Sequence, residues 1–201
     1  MNAGLIVLSG GKSSRMGRNK ALLPIEGKAM IQRIFDSLGE EFSDRILVTN
    51  RPEEYAPLLP DDVKIVSDVY PGSGPLSGIH AGLLASAAEY NVVAACDMPF
   101  VSRHVAELLV KKSQGFDAVV PRFNRMRQPL FAVYHKSVAG EIEGILEGND
   151  FRVNNLWKKL NTLWLEEDDL STIPEIERAF LNINNPEEYE ALGARVKNTE
   201  G

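Results

Sequence analysis

The residues that could do chemistry begin near the N-terminus, where a short apolar run at residues 5–8 ends in a glycine-rich, strongly basic segment. Gly10 and Gly11 follow the run, and their backbone N–H groups can face phosphate oxygens because no side chain stands in the way. Between residues 10 and 28 the chain has one acid, Glu26, and five cations: Lys12, Arg15, Arg18, Lys20 and Lys28. In a chain of net charge −6, this local reversal of sign predicts a bound polyphosphate.

Two familiar phosphate motifs do not fit this segment. A P-loop requires G-x-x-x-x-G-K-[ST], and the first of its glycines would fall at Ile6, inside the apolar run. The dinucleotide fingerprint G-x-G-x-x-G is also missing, because the glycine-rich run at residues 72–78 misses that spacing by one residue and contains a proline. We therefore expect a different kind of phosphate loop, and a nicotinamide-dependent dehydrogenase is disfavoured.

Two acidic residues at predicted strand ends could complete a nucleotide–magnesium site. Asp97 lies between Cys96 and Met98-Pro99, where a carboxylate can hold Mg²⁺ that is bound to substrate phosphates. A turn or helix-capping aspartate would have the same local sequence, and Asp68, which ends the preceding strand, is by itself typical of a turn. The combination with the basic segment is what favours the nucleotide site.

Two of the cations have predicted roles in phosphate chemistry. Lys20 precedes the apolar run Ala21-Leu22-Leu23-Pro24, and a lysine held by such a rigid segment can reach an α-phosphate and offset growing charge. Arg15 could contact the β- and γ-phosphates with both arms of its guanidinium group. The alternative is that these residues only keep a surface loop in solution.

A second basic group follows residue 121 and has no acid within it: Arg122, Arg125, Arg127 and Lys136. One interpretation is a site for a second anionic substrate. The other is a solvated hairpin, and the sequence leaves both open.

Composition sets limits on the class of protein. The chain has 201 residues, which suits a single domain, here residues 1–201. Cys96 is the only cysteine, so an internal disulfide and a cysteine-based zinc site are excluded. The sequence has no apolar run of membrane-spanning length and no signal-peptide pattern, so we expect a cytoplasmic protein that binds no membrane. Its acidic balance argues against a nucleic-acid partner.

The elements that must position these residues alternate between strands and helices over the first 120 residues. Strand patterns lie at residues 5–8, 45–49, 63–66, 91–95, 117–120, 130–134 and 162–165, and 180–186 is predicted to be a strand that breaks into a helix. Helical spacing occurs at residues 30–38, 79–88, 102–111, 138–146 and 153–159. We predict an α/β protein with a three-layer, Rossmann-like nucleotidyltransferase fold and a mostly parallel sheet. In such sheets the loops after Leu8, Val66 and Ala95 converge on one crevice.

The motifs taken together resemble those of the molybdenum cofactor guanylyltransferase family. Residues 8–17 with Lys20 are similar to the family's L-A-G-G-x-S-x-R-M-G…K signature, with Ser9 in place of alanine. Residues 74–79 are similar to its G-P-L-A-G-I segment, 96–99 to its C-D-[MT]-P motif, and 127–130 to its R-[HQ]-P-L segment. Residues 180–186 resemble F-x-N-[IV]-N-T-P, with Asn185 in place of threonine. The resemblance covers nearly the whole chain.

The resemblance implies roles for particular residues. It places GTP against Leu8, Ser9, Gly10 and Lys20, its guanine and ribose against Asn50 and Asp68, and Mg²⁺ on Asp97. It places molybdopterin against Arg152, Asn182 and Asn184. By this division, residues 1–120 bind the nucleotide and residues 121–193 bind molybdopterin.

The implied reaction is transfer of GMP from GTP to the terminal phosphate of molybdenum-loaded molybdopterin, with Lys20, Arg15 and Asp97 as catalytic residues. A relative that uses CTP or a sugar-phosphate acceptor, and a non-catalytic protein that binds nucleotide or molybdopterin, remain as alternatives. The resemblance also implies handover to molybdenum-insertion and molybdoenzyme-maturation proteins. We expect a monomer.

Overall fold

The structure is a computed structural model, and it describes residues 1–10, 19–148, 153–185 and 187–190. Most strands of the described residues belong to one eight-stranded sheet, in the order β10-β7-β9-β6-β1-β4-β5, with β8 paired to β7. The strands in chain order are β1 (Gly4–Leu8), β2 (Pro24–Ile25), β3 (Lys28–Ala29), β4 (Asp44–Val48), β5 (Lys64–Val66), β6 (Tyr90–Ala95), β7 (Ala118–Phe123), β8 (Met126–Arg127), β9 (Phe131–His135) and β10 (Thr162–Leu165).

The α-helices of the described residues pack on the sheet or beyond its ends. They are α1 (Met30–Leu38), α2 (Pro52–Tyr55), α3 (Pro75–Ala85), α4 (Arg103–Lys111), α5 (Val138–Glu147), α6 (Val153–Leu156), α7 (Glu167–Leu170) and α8 (Ile176–Ala179). Residues 187–190 form a further helical turn.

The sheet is mostly parallel, as predicted. Strand β1 pairs in parallel with both β4 and β6, while β9 runs antiparallel between β6 and β7. Strands that are buried on both faces consist of nearly continuous apolar residues. Strand β1 is such a strand, because it is buried at all five positions. The side chains of β1 alternate between two apolar clusters, one containing α1 and α4 and the other α3 and α5. The three-layer α/β prediction is therefore confirmed.

Several predicted boundaries were wrong. The helix predicted from residue 79 begins at Pro75, because proline suits the first turn of a helix and Gly74, at φ 74°, supplies the sharp entry. The acidic run at residues 166–169, where the sequence pattern predicts no helix, enters the short helix α7. Residues 180–185 form no strand: Phe180 and Ile183 bury their side chains and Leu181 is exposed, but the segment does not pair with the sheet.

Candidate active site

The candidate site lies where the parallel strands β1, β4, β5 and β6 end, at one edge of the sheet. The ladder continues one residue beyond β1 and β6, since Ser9 N donates to Val48 O and Cys96 N donates to Leu8 O, each at 2.9 Å. These bonds fix the chain immediately before Gly10 and Asp97. Gly10 itself is exposed, and a Cβ atom added there would meet no atom of the described residues within 4 Å, so none of them closes its backbone to a ligand.

Lys20 and Asp97 are brought into direct contact although 77 residues separate them. Lys20 begins a 3₁₀ turn at Lys20–Leu22, and its Nζ donates to Asp97 Oδ2 at 2.7 Å. Both side chains are about one-fifth exposed, with relative accessibilities of 22% and 20%. In this partly sheltered pair at the sheet edge, the ammonium group can bind an anionic ligand and the carboxylate can bind a cation.

Asn19 orients the turn that carries Lys20. Its Oδ1 accepts a hydrogen bond from Ala21 N at 3.3 Å, which satisfies one of the donors left open at the start of the turn. Its Nδ2 donates to Glu54 and to the hydroxyl of Tyr55, at 2.5 and 2.7 Å. The same hydroxyl lies 2.5 Å from Ser9 Oγ.

Asn50 and Asp68 meet beyond β4 and β5. Asn50 Oδ1 accepts from Asp68 N at 3.0 Å, and Asp68 Oδ1 accepts from Tyr70 N at 3.0 Å and from the Ser77 hydroxyl. Burial raises the pKa of the Asp68 carboxyl above its usual value, and the hydrogen bond from Tyr70 N partly opposes this effect. The start of α3, which carries Ser77, thus closes this side of the site.

Asn182 and Asn184 lie beside Asp97 because Ile183 anchors the segment between them. Ile183 N donates to Asp97 O at 2.9 Å, and its side chain is buried against Ile25 and Met30. Asn182 is half-buried and Asn184 is exposed. The segment that carries the two asparagines is therefore fixed to the backbone of Asp97.

The second basic group is only partly assembled. Arg122 and Arg127 are cross-strand partners in the β7–β8 hairpin, and both guanidinium groups lie over the Trp164 ring at 4.7 Å. With Arg125 and three acids, Glu166, Glu167 and Asp168, they line a cavity of about 550 Å³. Lys136 does not join them, because its Nζ donates to Ser86 O at the opposite edge of the sheet.

The residues present fit a divalent metal that shares its ligands with a substrate. Among the described residues there is no group of three or more His, Cys, Asp or Glu side chains that could hold a metal alone. Asp97 offers one carboxylate, the hard oxygen donor that Mg²⁺ prefers, and Mg²⁺ commonly takes one or two carboxylates and completes its shell with phosphates and water.

The structure brings together most of the residues singled out from the sequence, namely Leu8, Ser9, Gly10, Lys20, Asn50, Asp68, Asp97, Asn182 and Asn184. Arg15 and Arg152 lie outside the described residues, as do Lys12 and Arg18. Sequence reasoning missed the contacts of Asn19, Tyr55 and Ser77. Ser77 lies within one of the quoted motifs, whereas Tyr55 lies in none of them.

A mostly parallel sheet, with a lysine and carboxylates gathered at its carboxyl edge, suits a nucleotidyltransferase, and the comparisons with known proteins show that class. The family model of the MobA-like NTP transferase domain matches residues 5–162. A solved structure of molybdopterin-guanine dinucleotide biosynthesis protein A from Archaeoglobus fulgidus superposes with a TM-score of 0.83 at 27% identity, over 97% of this chain and 99% of that one.

Two curated relatives are named as probable molybdenum cofactor guanylyltransferases. The one from Pelotomaculum thermopropionicum is 38% identical over 191 residues, which is 95% of this chain and 91% of its own. The one from Clostridium perfringens is 38% identical over 194 residues, covering 92% and 93%. The chain therefore belongs to the MobA-like NTP transferase family, within its molybdenum cofactor guanylyltransferase group, and the resemblance drawn from its motifs is confirmed.

Proposed function

We propose that this protein transfers GMP from GTP to the terminal phosphate of molybdenum-loaded molybdopterin, forming molybdopterin guanine dinucleotide and pyrophosphate. The observation that carries the proposal is the 2.7 Å contact between Lys20 and Asp97 at the carboxyl edge of the sheet. It occurs in a chain that is 38% identical to relatives named for this activity.

The nucleotide would lie along the edge formed by β6, β1, β4 and β5. The backbone after Leu8, at Ser9 and Gly10, faces the phosphates, and Lys20 donates to an α-phosphate oxygen. Asn50 and Asp68 contact the guanine and ribose. Arg15, assigned by the family motif, contacts the β- and γ-phosphates. The order of these groups along the edge supports this orientation, because the strands β4 and β5 lie on the far side of β1 from Asp97.

Asp97 would hold Mg²⁺ together with the phosphates of the nucleotide. When bound, Mg²⁺ offsets the negative charge that the phosphates carry and that increases on the departing pyrophosphate. Lys20 and Asp97 contact each other in the structure, so binding must exchange this contact for two others, from Lys20 to phosphate and from Asp97 to the metal. Each group keeps a partner of opposite charge, and the exchange leaves neither one buried alone.

The chemical step is an in-line displacement at the α-phosphorus. An oxygen of the acceptor phosphate forms the new bond to phosphorus while the bond to the β-phosphate oxygen breaks, and its electron pair leaves with pyrophosphate. Because the nucleophile is already an anion, no strong general base is required. The protein contributes positioning and charge stabilisation, chiefly through Lys20 and Arg15.

The acceptor would bind on the other side of Asp97, in the part of the chain from residue 121 to 193. Asn182 and Asn184 lie next to Asp97, and Arg152 is assigned by the family resemblance. The β7–β8 hairpin is two strand spacings from β6, about 10 Å, within reach of an elongated acceptor. Its arginines and the Trp164 ring suit a molecule with a flat heterocycle and a phosphate.

Replacement of Arg125 tests this placement of the acceptor. Arg125→Ala should raise the KM for molybdopterin about 10-fold or more while leaving the KM for GTP within twofold, because a lost charged hydrogen bond is worth about 1.5–3 kcal/mol. Arg103→Ala, which removes a surface arginine paired with Glu107 on α4, is the matched control and should change neither constant. An equal rise of both constants in Arg125→Ala would remove the hairpin from the acceptor site.

We further propose a cytoplasmic monomer that passes its product to molybdenum-insertion and molybdoenzyme-maturation proteins. This part rests on the sequence and on the family resemblance. None of the helices in the described ranges is both long and apolar enough to cross a bilayer.

Pyrophosphate release tests the proposed function. With Mg²⁺ and molybdopterin, GTP should support release, whereas ATP, CTP and UTP should not. Release with CTP alone would assign the cytidylyl reaction. No release with any nucleotide, from protein that still binds GTP, would indicate another acceptor or a binding protein.

A further inference from the structure

The hydroxyl of Tyr55 lies at a junction between two parts of the candidate site. Tyr55 ends α2, and its side chain is buried, with 2% of its surface exposed. Its Oη is 2.5 Å from Ser9 Oγ, accepts from Asn19 Nδ2 at 2.7 Å, and lies 3.0 Å from Asn19 Oδ1. One buried hydroxyl therefore contacts the side chains on both sides of residues 10–18, the first part of the basic segment.

The contact with Asn19 leads directly to Lys20. Asn19 caps the turn that begins at Lys20, through its Oδ1 and Ala21 N. The orientation of the Asn19 amide is fixed by Tyr55 and by Glu54, which accepts from Nδ2 at 2.5 Å. Rotation of that amide would remove the cap and displace the start of the turn, and with it the lysine that contacts Asp97.

Tyr55 is itself tied to the strand that supports the nucleotide base. Helix α2 begins at Pro52, two residues after Asn50, and Arg51 N donates to Thr49 Oγ1 at 3.2 Å at the end of β4. The tyrosine therefore joins the end of β4 to Ser9 and Asn19, on both sides of residues 10–18.

We propose that Tyr55 is a positioning residue for the nucleotide: its hydroxyl holds Ser9 and Asn19 together and thereby sets the geometry of the phosphate-binding backbone and of Lys20. This inference rests on the proposed function for the identity of the nucleotide. Tyr55 does not touch the reacting atoms and acts through Ser9 and Asn19.

The environment of Tyr55 suits this role. Burial raises the pKa of its phenol, opposed in part by the hydrogen bonds to Ser9 and Asn19, so the group stays protonated and can both donate and accept. A hydroxyl with two side-chain partners in a sheltered site holds them more firmly than a water molecule would, because no separate molecule has to be immobilised.

Tyr55→Phe removes the hydroxyl and keeps the ring that fills the core. The Kd for a fluorescent N-methylanthraniloyl-GTP, measured without acceptor, should rise about 5- to 30-fold. This rise corresponds to a loss of about 1–2 kcal/mol of binding free energy. Binding is measured far below the unfolding temperature, so that a fall in stability alone leaves the folded fraction, and the Kd, unchanged.

Tyr134→Phe is the matched control, since Tyr134 is also fully buried and its hydroxyl donates to Pro129 O at 2.8 Å, away from the basic segment. This variant should lose stability and keep the wild-type Kd for the GTP analogue. A weakening of the same size in both variants would assign the Tyr55 effect to general loss of packing and would overturn the inference.

A double-mutant cycle tests the route through Ser9. If Ser9 and Tyr55 act through their shared hydrogen bond, the combined variant Ser9→Ala/Tyr55→Phe should bind no more weakly than Tyr55→Phe alone. Fold-changes that multiply would show independent effects and would contradict the proposed link.

The outcomes separate this inference from the proposed function. Wild-type protein that binds GTP, with a Tyr55→Phe variant of equal affinity, would refute the positioning role alone. Wild-type protein that binds no nucleoside triphosphate would refute the proposed function and this inference with it.

Discussion

Replacing Asp97 with asparagine should separate nucleotide binding from metal-dependent turnover. The Asp97 carboxylate contacts Lys20 Nζ at 2.7 Å, and the side chains are 20% and 22% exposed. Asparagine keeps the size of the side chain and removes its charge. In the proposed mechanism, Lys20 then loses an ionic competitor for phosphate, while the metal loses its protein carboxylate.

The structure sets the size of each effect. Both side chains are partly exposed, and removing their charges from water is unfavourable, so the ion pair adds only about 1 kcal/mol to the free energy of unfolding. The unfolding midpoint of the variant should therefore fall by about 2–4 °C. Affinity for GTP without metal should be unchanged or a few-fold tighter, because a negative charge next to the phosphates is gone. Turnover should fall about 10²–10³-fold, the usual effect of removing one group that stabilises charge in a transition state.

The assay compares the Kd for GTP in EDTA and in Mg²⁺, together with the rate of pyrophosphate release. The wild-type protein should bind GTP more tightly with Mg²⁺, and Asp97→Asn should lose most of that gain. Asp36→Asn is the matched control because Asp36 also pairs with a lysine, Lys28 at 2.6 Å, but on the exposed surface of α1. It should change neither the metal dependence nor the rate.

Two results would refute this reasoning. One is an Asp97→Asn protein whose rate of pyrophosphate release is within tenfold of the wild-type rate and still depends on the metal. The other is loss of metal-free GTP binding in a variant that remains folded, which would mean that the carboxylate supports the nucleotide directly.

The remaining predictions concern two glycines in helices and the buried thiol of Cys96. Gly82→Ala should lower the free energy of unfolding by about 1–3 kcal/mol in urea titrations, because the added Cβ would stand 2.3 Å from Ile6 Cγ2. Gly140→Ala should stabilise helix α5 by up to about 1 kcal/mol, because a Cβ there meets no atom of the described residues within 4 Å. Burial raises the pKa of the Cys96 thiol to about 11, so the folded protein should resist thiol reagents at pH 8. Because the unfolded thiol ionises at about pH 8.5, the contribution of Cys96 to stability should be complete below that pH and be lost as the pH rises to 11, a loss absent in Cys96→Ala.

Much of the sheet could be predicted from the sequence because its strands are buried on both faces. The apolar runs of β1, β4 and β6 are long enough to identify them as buried strands. The spacing of the apolar residues in α1 identifies a helix with one apolar face. The hairpin β2–β3 has two residues in each strand, too few for any period to appear. The start of α3 was missed because Gly74-Pro75 is also typical of a turn.

The candidate site was predictable in outline, because the ends of parallel strands must share one edge of the sheet. Leu8, Asp68 and Asp97 could be placed there by strand pattern alone. The contact between Lys20 and Asp97 could not, since it joins side chains 77 residues apart and depends on how the Lys20 turn is capped. The role of Tyr55 was hidden for the same reason, because periodicity describes the buried ring and carries no information about the partners of its hydroxyl.

Label transfer from GTP tests the central claim most directly. Molybdenum-loaded molybdopterin is incubated with the protein, Mg²⁺ and GTP labelled at the α-phosphate or, in a parallel reaction, at the γ-phosphate. The account predicts that the α label appears in the molybdopterin product and the γ label in pyrophosphate, with Asp97→Asn reducing both about 10²–10³-fold. Transfer of the γ label to the acceptor, or no transfer of the α label by protein that binds both substrates, would contradict it.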